Sequence, residues 1–524
     1  MKADALAPDA IAETSFESTF GRTLLAVAIL SGCGLMAPMA AAGPLVLDEH
    51  GSYWIIESGV PSSVFERSLS YAAIPPLSSW LQAAFLAVAG KSELVFRLPS
   101  ALCYLLAICF TYLLGRNLNG PVGGGLAALV LAWHPEALDE VRIARCYGLV
   151  LLLAALFLWI TVRWQRQPER LQWAVAWGFI AAGLLWTHYT TAPLIGLSLL
   201  TLIIAFPIRD AALGPPLKLW GLAVLLLCGL AAPLAPVLAR LWAWSPYLNF
   251  MPSDIPIWHI IGPLWWLGLP VGGLVAKLLS RYRDKHTTAT VPTETLVTLA
   301  VWALVPLCCI VVFAQGDMST LANPRYRVAY AVPGACLFAV CLSSRYTPVA
   351  ACIGTVAALA LTWWMAELPP WQLERLKSRR AVEWKTIAEI VEREGRAGEP
   401  VIVQSGLAEA ELVAVFHDDR LLMDYVASRL GRFYLATPHP RYGLPFLWYD
   451  DSKVKEFYLE LLAKLCENGS GIVWVAAATD TDRNRLSLET IQQLLQRQQY
   501  VPIFEQRFDD AVLLRYECRC PGAK

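Results

Sequence analysis

The sequence predicts a polytopic α-helical membrane protein over residues 1–370, followed by a soluble, extracytoplasmic α/β domain over 371–524. Three observations carry this reading. The chain is 56% hydrophobic and 16% charged, against about 25% charged residues in an ordinary soluble chain. Before Leu368 the apolar residues come in runs of about twenty, the length a helix needs to cross a bilayer, broken by short polar or Pro/Gly-rich stretches. After Trp371 the spacing turns amphipathic, as in a fold with its own core.

About eleven spans follow, near 23–43, 94–114, 119–134, 146–162, 171–187, 191–207, 218–240, 256–280, 294–314, 326–344 and 348–368. Trp133, Trp164, Trp186, Trp242, Trp244, Trp363 and Trp364 sit near the ends of these runs, where an indole lies at headgroup level. The first run is read as a span. Met39-Ala40-Ala41-Ala42 offers small residues for cleavage, but the segment before the run is long and carries Asp4, Asp9, Glu13 and Glu17, unlike a signal peptide. Lys and Arg in short loops set orientation. With the N-terminus in the cytoplasm, the inner loops hold Arg116, Arg163, Arg166, Arg170, Arg209, Lys218, Lys277, Arg281, Arg283, Lys285 and Arg345. The short outer loops hold fewer: Arg142, Arg145, Arg240, Arg325 and Arg327. This predicts a multi-pass protein of the inner (plasma) membrane with residues beyond 368 in the periplasm or its equivalent. Lys plus Arg equals Asp plus Glu at 42 each, so no basic surplus points to nucleic acid.

With that sidedness the unusual polar residues gather on the outer side. The first outer loop, about 44–93, contains Asp48-Glu49-His50. The second contains His134-Pro135 and Asp139-Glu140, then Arg142, Arg145 and Tyr147. Later loops carry Thr187-His188-Tyr189 and Asn323-Pro324-Arg325-Tyr326-Arg327. Ionisable residues that converge on one membrane face suggest a site there. Each has a plainer reading beside it. Asp48 and Glu49 could be carboxylates favoured by a helix start, and Asp139 could cap the following helix. Arg142 and Arg145, three apart, would share a helical face and could snorkel to the interface. His188 could be a packed histidine, and Arg325-Tyr326 an interfacial anchor.

Taken in order, these segments resemble the GT-C glycosyltransferases that use polyprenyl-phosphate sugars, the group that includes protein O-mannosyltransferases and the lipid A aminoarabinose transferase. Leu47-Asp48-Glu49 stands where the group has its acidic first-loop motif, and Ile74-Pro75-Pro76-Leu77 where it has a His- or Lys-Pro-Pro-Leu-like segment. Phe96-Arg97-Leu98-Pro99-Ser100-Ala101 opens the second span, and Ala144-Arg145-Cys146-Tyr147-Gly148-Leu149 is similar to its Ala-Arg-x-Tyr-x-Leu. Thr187-His188-Tyr189 and Pro324-Arg325-Tyr326, with Val332-Pro333 after it, resemble later signatures. The resemblance covers residues 20–370. One departure stands out: the group often has a basic residue before Pro-Pro, and here Ala73 and Ile74 precede it. Arg67, Arg97 or Arg145 could supply that charge.

The resemblance implies a GT-C fold and transfer of a sugar from a polyprenyl-phosphate donor to a lipid, glycan or protein acceptor, with inversion. Asp48 is then the general base and Glu49 shapes or assists it. Asp139 orients the acceptor or a metal. Arg97, Arg142, Arg145 and Arg325 hold the donor phosphate, and His188, Tyr147 and Tyr326 bind substrate. No cofactor is fixed by the sequence. A divalent metal ion stays open, because His50, Glu49 and His188 could supply ligands but no coordination spacing is present. The rival class is a secondary transporter or lipid flippase, which would place binding groups near the midplane between repeated halves; no internal repeat is visible.

In the soluble part, an amphipathic helix runs from Glu383-Trp384-Lys385 to about Arg396. Strands are predicted near Pro400–Gln404, Gly471–Ala477, Val501–Arg507 and Ala511–Tyr516, with a helix at Leu486–Arg497. Without a nucleophile motif, this domain reads as a support or acceptor-recognition module. Ten of the thirteen Cys lie in apolar runs and read as small hydrophobes. Cys466 could pair with Cys518 or Cys520.

Overall fold

The computed structural model describes residues 15–38, 43–58, 62–71, 74–209, 216–239, 293–315, 318–344, 346–365, 383–404, 419–445, 452–468 and 471–519. They divide into two compact units. One holds the described residues within 15–38, 97–236 and 293–365; the other holds those within 43–96, 237–239 and 383–519. The described residues of 43–96 therefore cluster with the C-terminal residues.

The first unit is helical. Among the described residues, seven helices are long and apolar enough to cross a membrane: Ser15–Met36, Glu93–Ala132, Tyr147–Arg166, Leu217–Ala239, Thr295–Ala314, Pro324–Ser343 and Pro348–Met365. The expected spans 94–114 and 119–134 form one run broken at Asn119 and Gly120, whose φ of 74° only glycine adopts readily, just before Pro121. The expected spans 171–187 and 191–207 are shorter apolar helices, and 256–280 lies outside the described residues. The first helix, Ser15–Met36 among the described residues, already includes residues ahead of the expected 23 and ends ahead of Pro38, which cannot donate to a continuing ladder. Gly148 brings two helices to backbone contact: a Cβ there would stand 2.1 Å from the Ser100 carbonyl oxygen. Small residues permit this close approach in a medium where apolar burial alone does not drive helices together.

The second unit is built on a five-stranded sheet of order β2-β1-β3-β5-β4. The strands are β1 (Val401–Gln404), β2 (Arg441–Leu444), β3 (Ile472–Ala478), β4 (Tyr500–Arg507) and β5 (Ala511–Cys518). β1 pairs parallel with β2 and β3, while β5 runs antiparallel between β3 and β4. Side chains alternate across the sheet. Val401, Val403, Trp474, Ala476 and Leu513 meet the helix Trp384–Glu394 through Trp384, Ile387 and Val391. Ile402, Val473, Val475 and Leu514 meet Val454, Tyr458 and Leu462 of the helix Ser452–Asn468 and Ile491 and Leu495 of Asp482–Arg497. The result is an α/β/α sandwich, as the α/β prediction required. β2 and the helices Arg420–Val426 and Ser452–Asn468 were not predicted. The third had a readable signal, because Val454, Tyr458, Leu462 and Cys466 recur every four residues and all are buried. Cys466 bonds Cys518, with Cα atoms 5.8 Å apart, so the open choice of partner falls on Cys518.

Residues 43–58 and 62–71 belong to this unit. Its helix Leu47–Ile56 places Trp54 so that Nε1 donates to Asp424 Oδ2 at 2.8 Å. Glu57, next after that helix and 2% exposed, lies 3.0 Å from Arg432 Nε and 3.8 Å from Arg441. The Leu45 amide donates to the Tyr434 hydroxyl at 2.7 Å, and Tyr53 meets Phe433 edge-on at 4.8 Å. Burial pushes the Glu57 carboxyl up, with Asp424 adding to the shift and Arg441 and Arg432 opposing it.

Candidate active site

Helix Leu171–Leu185 ends at Trp186, and His188 then opens the 3₁₀ turn Tyr189–Thr191 as its N-cap. The Thr190 amide donates to His188 Nδ1 at 3.3 Å, and the Thr190 hydroxyl lies 2.9 Å from the same nitrogen. An amide can only donate, so Nδ1 is the acceptor and the neutral ring carries its proton on Nε2. The turn is held from beneath by the Tyr330 hydroxyl, which donates to the Thr190 carbonyl at 2.6 Å.

The His188 ring sits between two tyrosines, with centroids 5.7 Å from Tyr147 and 5.8 Å from Tyr326. The Arg325 guanidinium lies 5.3 Å over the Tyr326 ring, and Asn323 fixes this corner by accepting the Arg325 amide at 3.2 Å. Burial, then the charges of Arg145 and Arg325, hold His188 down at about 3. It is therefore a neutral donor throughout the ordinary pH range, standing in a positive field. The Tyr147 hydroxyl is buried and has no hydrogen bond among the described residues. A polar atom in that state is costly unless a ligand satisfies it. Glu140 is the carboxylate whose charge reaches Tyr147 and Cys146 alongside the two arginines.

Five residues singled out in the sequence, Arg145, Tyr147, His188, Arg325 and Tyr326, are thus brought together although they come from three separate loops. The other candidates fare differently. Arg142 and Arg145 do not share a helical face, because the short helix Pro135–Val141 ends before both, with Arg142 as its C-cap, and the chain then turns. Arg142 is fully buried and donates through Nε and NH2 to the Leu35 carbonyl at 3.0 and 2.6 Å, so its guanidinium pins the end of the first helix. Those bonds give Arg142 a structural task. Asp139 lies within Pro135–Val141, half-buried, and does not cap the next helix, whose N-cap is Cys146. Arg97 is buried on the helix Glu93–Ala132.

A buried ion pair escaped the sequence reading. Arg327 NH2 lies 2.5 Å from Glu136 Oε1, with both side chains almost fully buried. His134 beside it caps the helix through Nδ1, which accepts the Ala137 amide at 3.3 Å, and burial followed by the Arg327 charge holds it at about 3. Nothing in one sequence pairs residues 191 positions apart.

Asp48 and Glu49 belong to the other unit, in the first turn of Leu47–Ile56. Glu49 is buried and its Oε2 accepts the Val46 amide at 2.9 Å, so this carboxylate closes its own helix start, a shaping role. Asp48 next to it stays half-buried. Arg67, one suggested replacement for the missing basic residue before Pro-Pro, instead donates to the Trp54 and Glu57 carbonyls at 2.8 Å each. Among the described residues, no group of three or more His, Cys, Asp or Glu is arranged to hold a metal ion.

Apolar helices long enough to cross a membrane and a separate α/β fold describe a multi-pass membrane protein, and the structural likenesses below give its fold as GT-C. Comparison with known proteins bears on this directly. Residues 73–235 match the family model described as dolichyl-phosphate-mannose-protein mannosyltransferase. The structure of ArnT from Cupriavidus metallidurans bound to undecaprenyl phosphate is similar with a TM-score of 0.62 at 15% identity, over 95% of this chain and 98% of that one. The Archaeoglobus fulgidus oligosaccharyltransferase tethered to an acceptor peptide gives 0.51 at 13% identity, over 96% and 74%. Arabinofuranosyltransferase AftD from Mycobacteria gives 0.50 at 13%, over 95% and 41%. At these identities the likeness is one of fold. The search of curated proteins found no match.

Proposed function

We propose that this protein is a membrane glycosyltransferase that moves a sugar from a polyprenyl-phosphate donor to an extracytoplasmic lipid, glycan or protein acceptor, with inversion. The observation that carries the proposal is the cluster around His188: two arginines act on one neutral Nε2–H donor beside an unsatisfied tyrosine hydroxyl. Such a set suits a phosphate oxygen, which takes charge-assisted bonds from guanidinium and a further bond from a neutral donor. The undecaprenyl phosphate bound to the similar ArnT and the mannosyltransferase family model support a lipid-phosphate donor.

In this mechanism an acceptor oxygen forms a bond to the anomeric carbon as the bond from that carbon to the donor phosphate oxygen breaks. The electron pair leaves with the polyprenyl phosphate. Arg145, Arg325 and His188 stabilise the charge that develops there, an effect that is strong where water is excluded. The acceptor proton passes to Asp48, whose role rests on its residue type and its position directly after the first span. A positioned carboxylate base contributes typically about 10²–10⁴-fold. Arg97 and Asp139 are assigned supporting roles, toward the donor and the acceptor.

The sheet-bearing unit is assigned to the extracytoplasmic side. The loop charge bias supports this, and so does the Cys466–Cys518 disulfide, since such bonds persist in oxidising compartments. The test is to incubate purified protein with a panel of polyprenyl-phosphate sugars and measure released polyprenyl phosphate. Release with at least one donor is expected; folded protein that releases none from any donor contradicts the proposal.

A further inference from the structure

One end of the helical unit sets an arginine on tryptophan rings. Arg163 stands in the last turn of the helix Tyr147–Arg166, where a helix long enough to cross the membrane reaches headgroup level. Its guanidinium lies 5.6 Å over the ring of Trp159, one turn back, and 5.8 Å over that of Trp173, on the helix Leu171–Leu185. The two rings meet edge-on with centroids 5.7 Å apart, and Trp173 Nε1 donates to Gln167 Oε1 at 3.0 Å, which fixes the second ring. Phe110 of the helix Glu93–Ala132 backs Trp159 at 6.0 Å. A guanidinium in such a corner is attracted by both ring faces, and it has less side-chain freedom to lose when a ligand arrives.

The nitrogens of Arg163 divide into two sets. Nε is buried, whereas the two terminal nitrogens are not, and none of the three makes a hydrogen bond among the described residues. No carboxylate pairs with this arginine there either. The same end carries Arg116, Arg166 and Arg170, and Glu169 is the one carboxylate in the described segments 116–120 and 163–170. Arg166 ties the helix end down by donating to the Asn117 carbonyl, and Arg170 is exposed. Beside them Leu171 is 54% exposed, an apolar surface next to the charge. An open planar fork, a surplus of positive charge and apolar faces call for a ligand with a phosphate, a net negative charge and a hydrocarbon chain. Free phosphate answers the first two alone, and a zwitterionic lipid brings its own ammonium against the surplus arginines.

We propose that this corner binds the headgroup of an anionic glycerophospholipid, its phosphodiester at the terminal nitrogens of Arg163 and its acyl chains along the apolar side of the helices. Basic pockets between spanning helices recognise headgroups in this way. The site does not rest on the transfer reaction proposed above, and its test needs no turnover. The delipidated full chain in detergent is titrated with phosphatidylglycerol, with phosphatidylcholine of the same acyl chains and with inorganic phosphate, and bound lipid is counted by native mass spectrometry. Saturable binding of phosphatidylglycerol is expected, with phosphatidylcholine at least about tenfold weaker. Arg163→Ala should weaken phosphatidylglycerol at least about tenfold, and Arg163→Lys, which keeps the charge for folding but loses the fork, at least about threefold. Arg170→Ala should cost less than Arg163→Ala, because no ring holds that side chain in place. Absent saturable binding, equal binding of the two lipids, or parental affinity in Arg163→Ala or Arg163→Lys overturns the proposal. Equal losses from Arg163→Ala and Arg170→Ala also overturn it, since they mark diffuse attraction instead of a site. Displacement of phosphatidylglycerol by an equal concentration of inorganic phosphate would make this a free-phosphate site and overturn its assignment to a lipid.

Discussion

In the sheet-bearing unit, arginines meet carboxylates: buried Arg441 faces Asp424 and Glu57, the half-buried Arg432 faces Glu57, and the half-buried Arg515 lies 2.7 Å from Glu399. Around His188 in the helical unit, two arginines act on one neutral ring flanked by two tyrosines. Matched charge of the first kind fixes a fold, because a guanidinium that has lost water is tolerated when a carboxylate answers it. Around His188 the two guanidiniums act instead on a neutral ring, and with burial their charge holds it unprotonated. The same helical unit contains its own matched pair, Glu136–Arg327, so the contrast lies between tasks and not between environments.

The contrast can be broken by mutation. Glu57→Ala removes the carboxylate that Arg432 and Arg441 share, while Arg441 keeps Asp424, and should cost about 1–3 kcal/mol of stability, read as a drop in Tm and in folded yield. A variant that melts with the parent would remove the scaffold half of the comparison. Arg145→Ala and Arg325→Ala should each lower the transfer rate about tenfold to a hundredfold with little change in Tm, the loss expected for one charge-assisted bond. Arg142→Ala should do the reverse, lowering Tm because the Leu35 carbonyl loses its buried donor. Equal behaviour of the three arginines in both measurements would erase the distinction.

A further effect is one of pH. Burial holds His188 and His134 at about 3, against an ordinary value of 6.5. Between these values the unfolded chain binds protons that the folded one refuses, so stability rises with pH across that window. Both contributions are complete above about 6.5 and fade as pH falls toward 3. Tm should therefore drop from pH 7 to pH 4.5, and His188→Asn should make that drop shallower. An unchanged slope would place His188 in a wetter, protonatable setting and weaken its role as a neutral donor.

Much of the fold was legible because hydropathy is a local signal. Runs of twenty apolar residues mark spans, and Val401–Gln404 or the Leu486–Arg497 region betray strand and helix by their own periods. β2 was not, since Arg441-Tyr442-Gly443-Leu444 is short, contains glycine and becomes a strand only by pairing with β1. The site divided along the same line. Residue type and order brought out Arg145, Tyr147, His188, Arg325 and Tyr326, which the fold assembles. The fate of Arg142 and Glu49 depended on which backbone groups lay nearby, Leu35 and Val46, and the first of those is 107 positions away. The attachment of the helix Leu47–Ile56 to the C-terminal residues was hidden for the same reason, because Trp54–Asp424 and Glu57–Arg432 are contacts between distant parts of the chain.

The central claim is that Asp48 takes a proton from an acceptor that attacks a lipid-phosphate sugar. It is tested most directly by comparing the parent with Asp48→Asn, both inserted normally, for sugar transferred and polyprenyl phosphate released with the donor found active. The account predicts a fall of about 10²–10⁴-fold in transfer with donor binding retained. An Asp48→Asn protein that transfers sugar at the parental rate would contradict it.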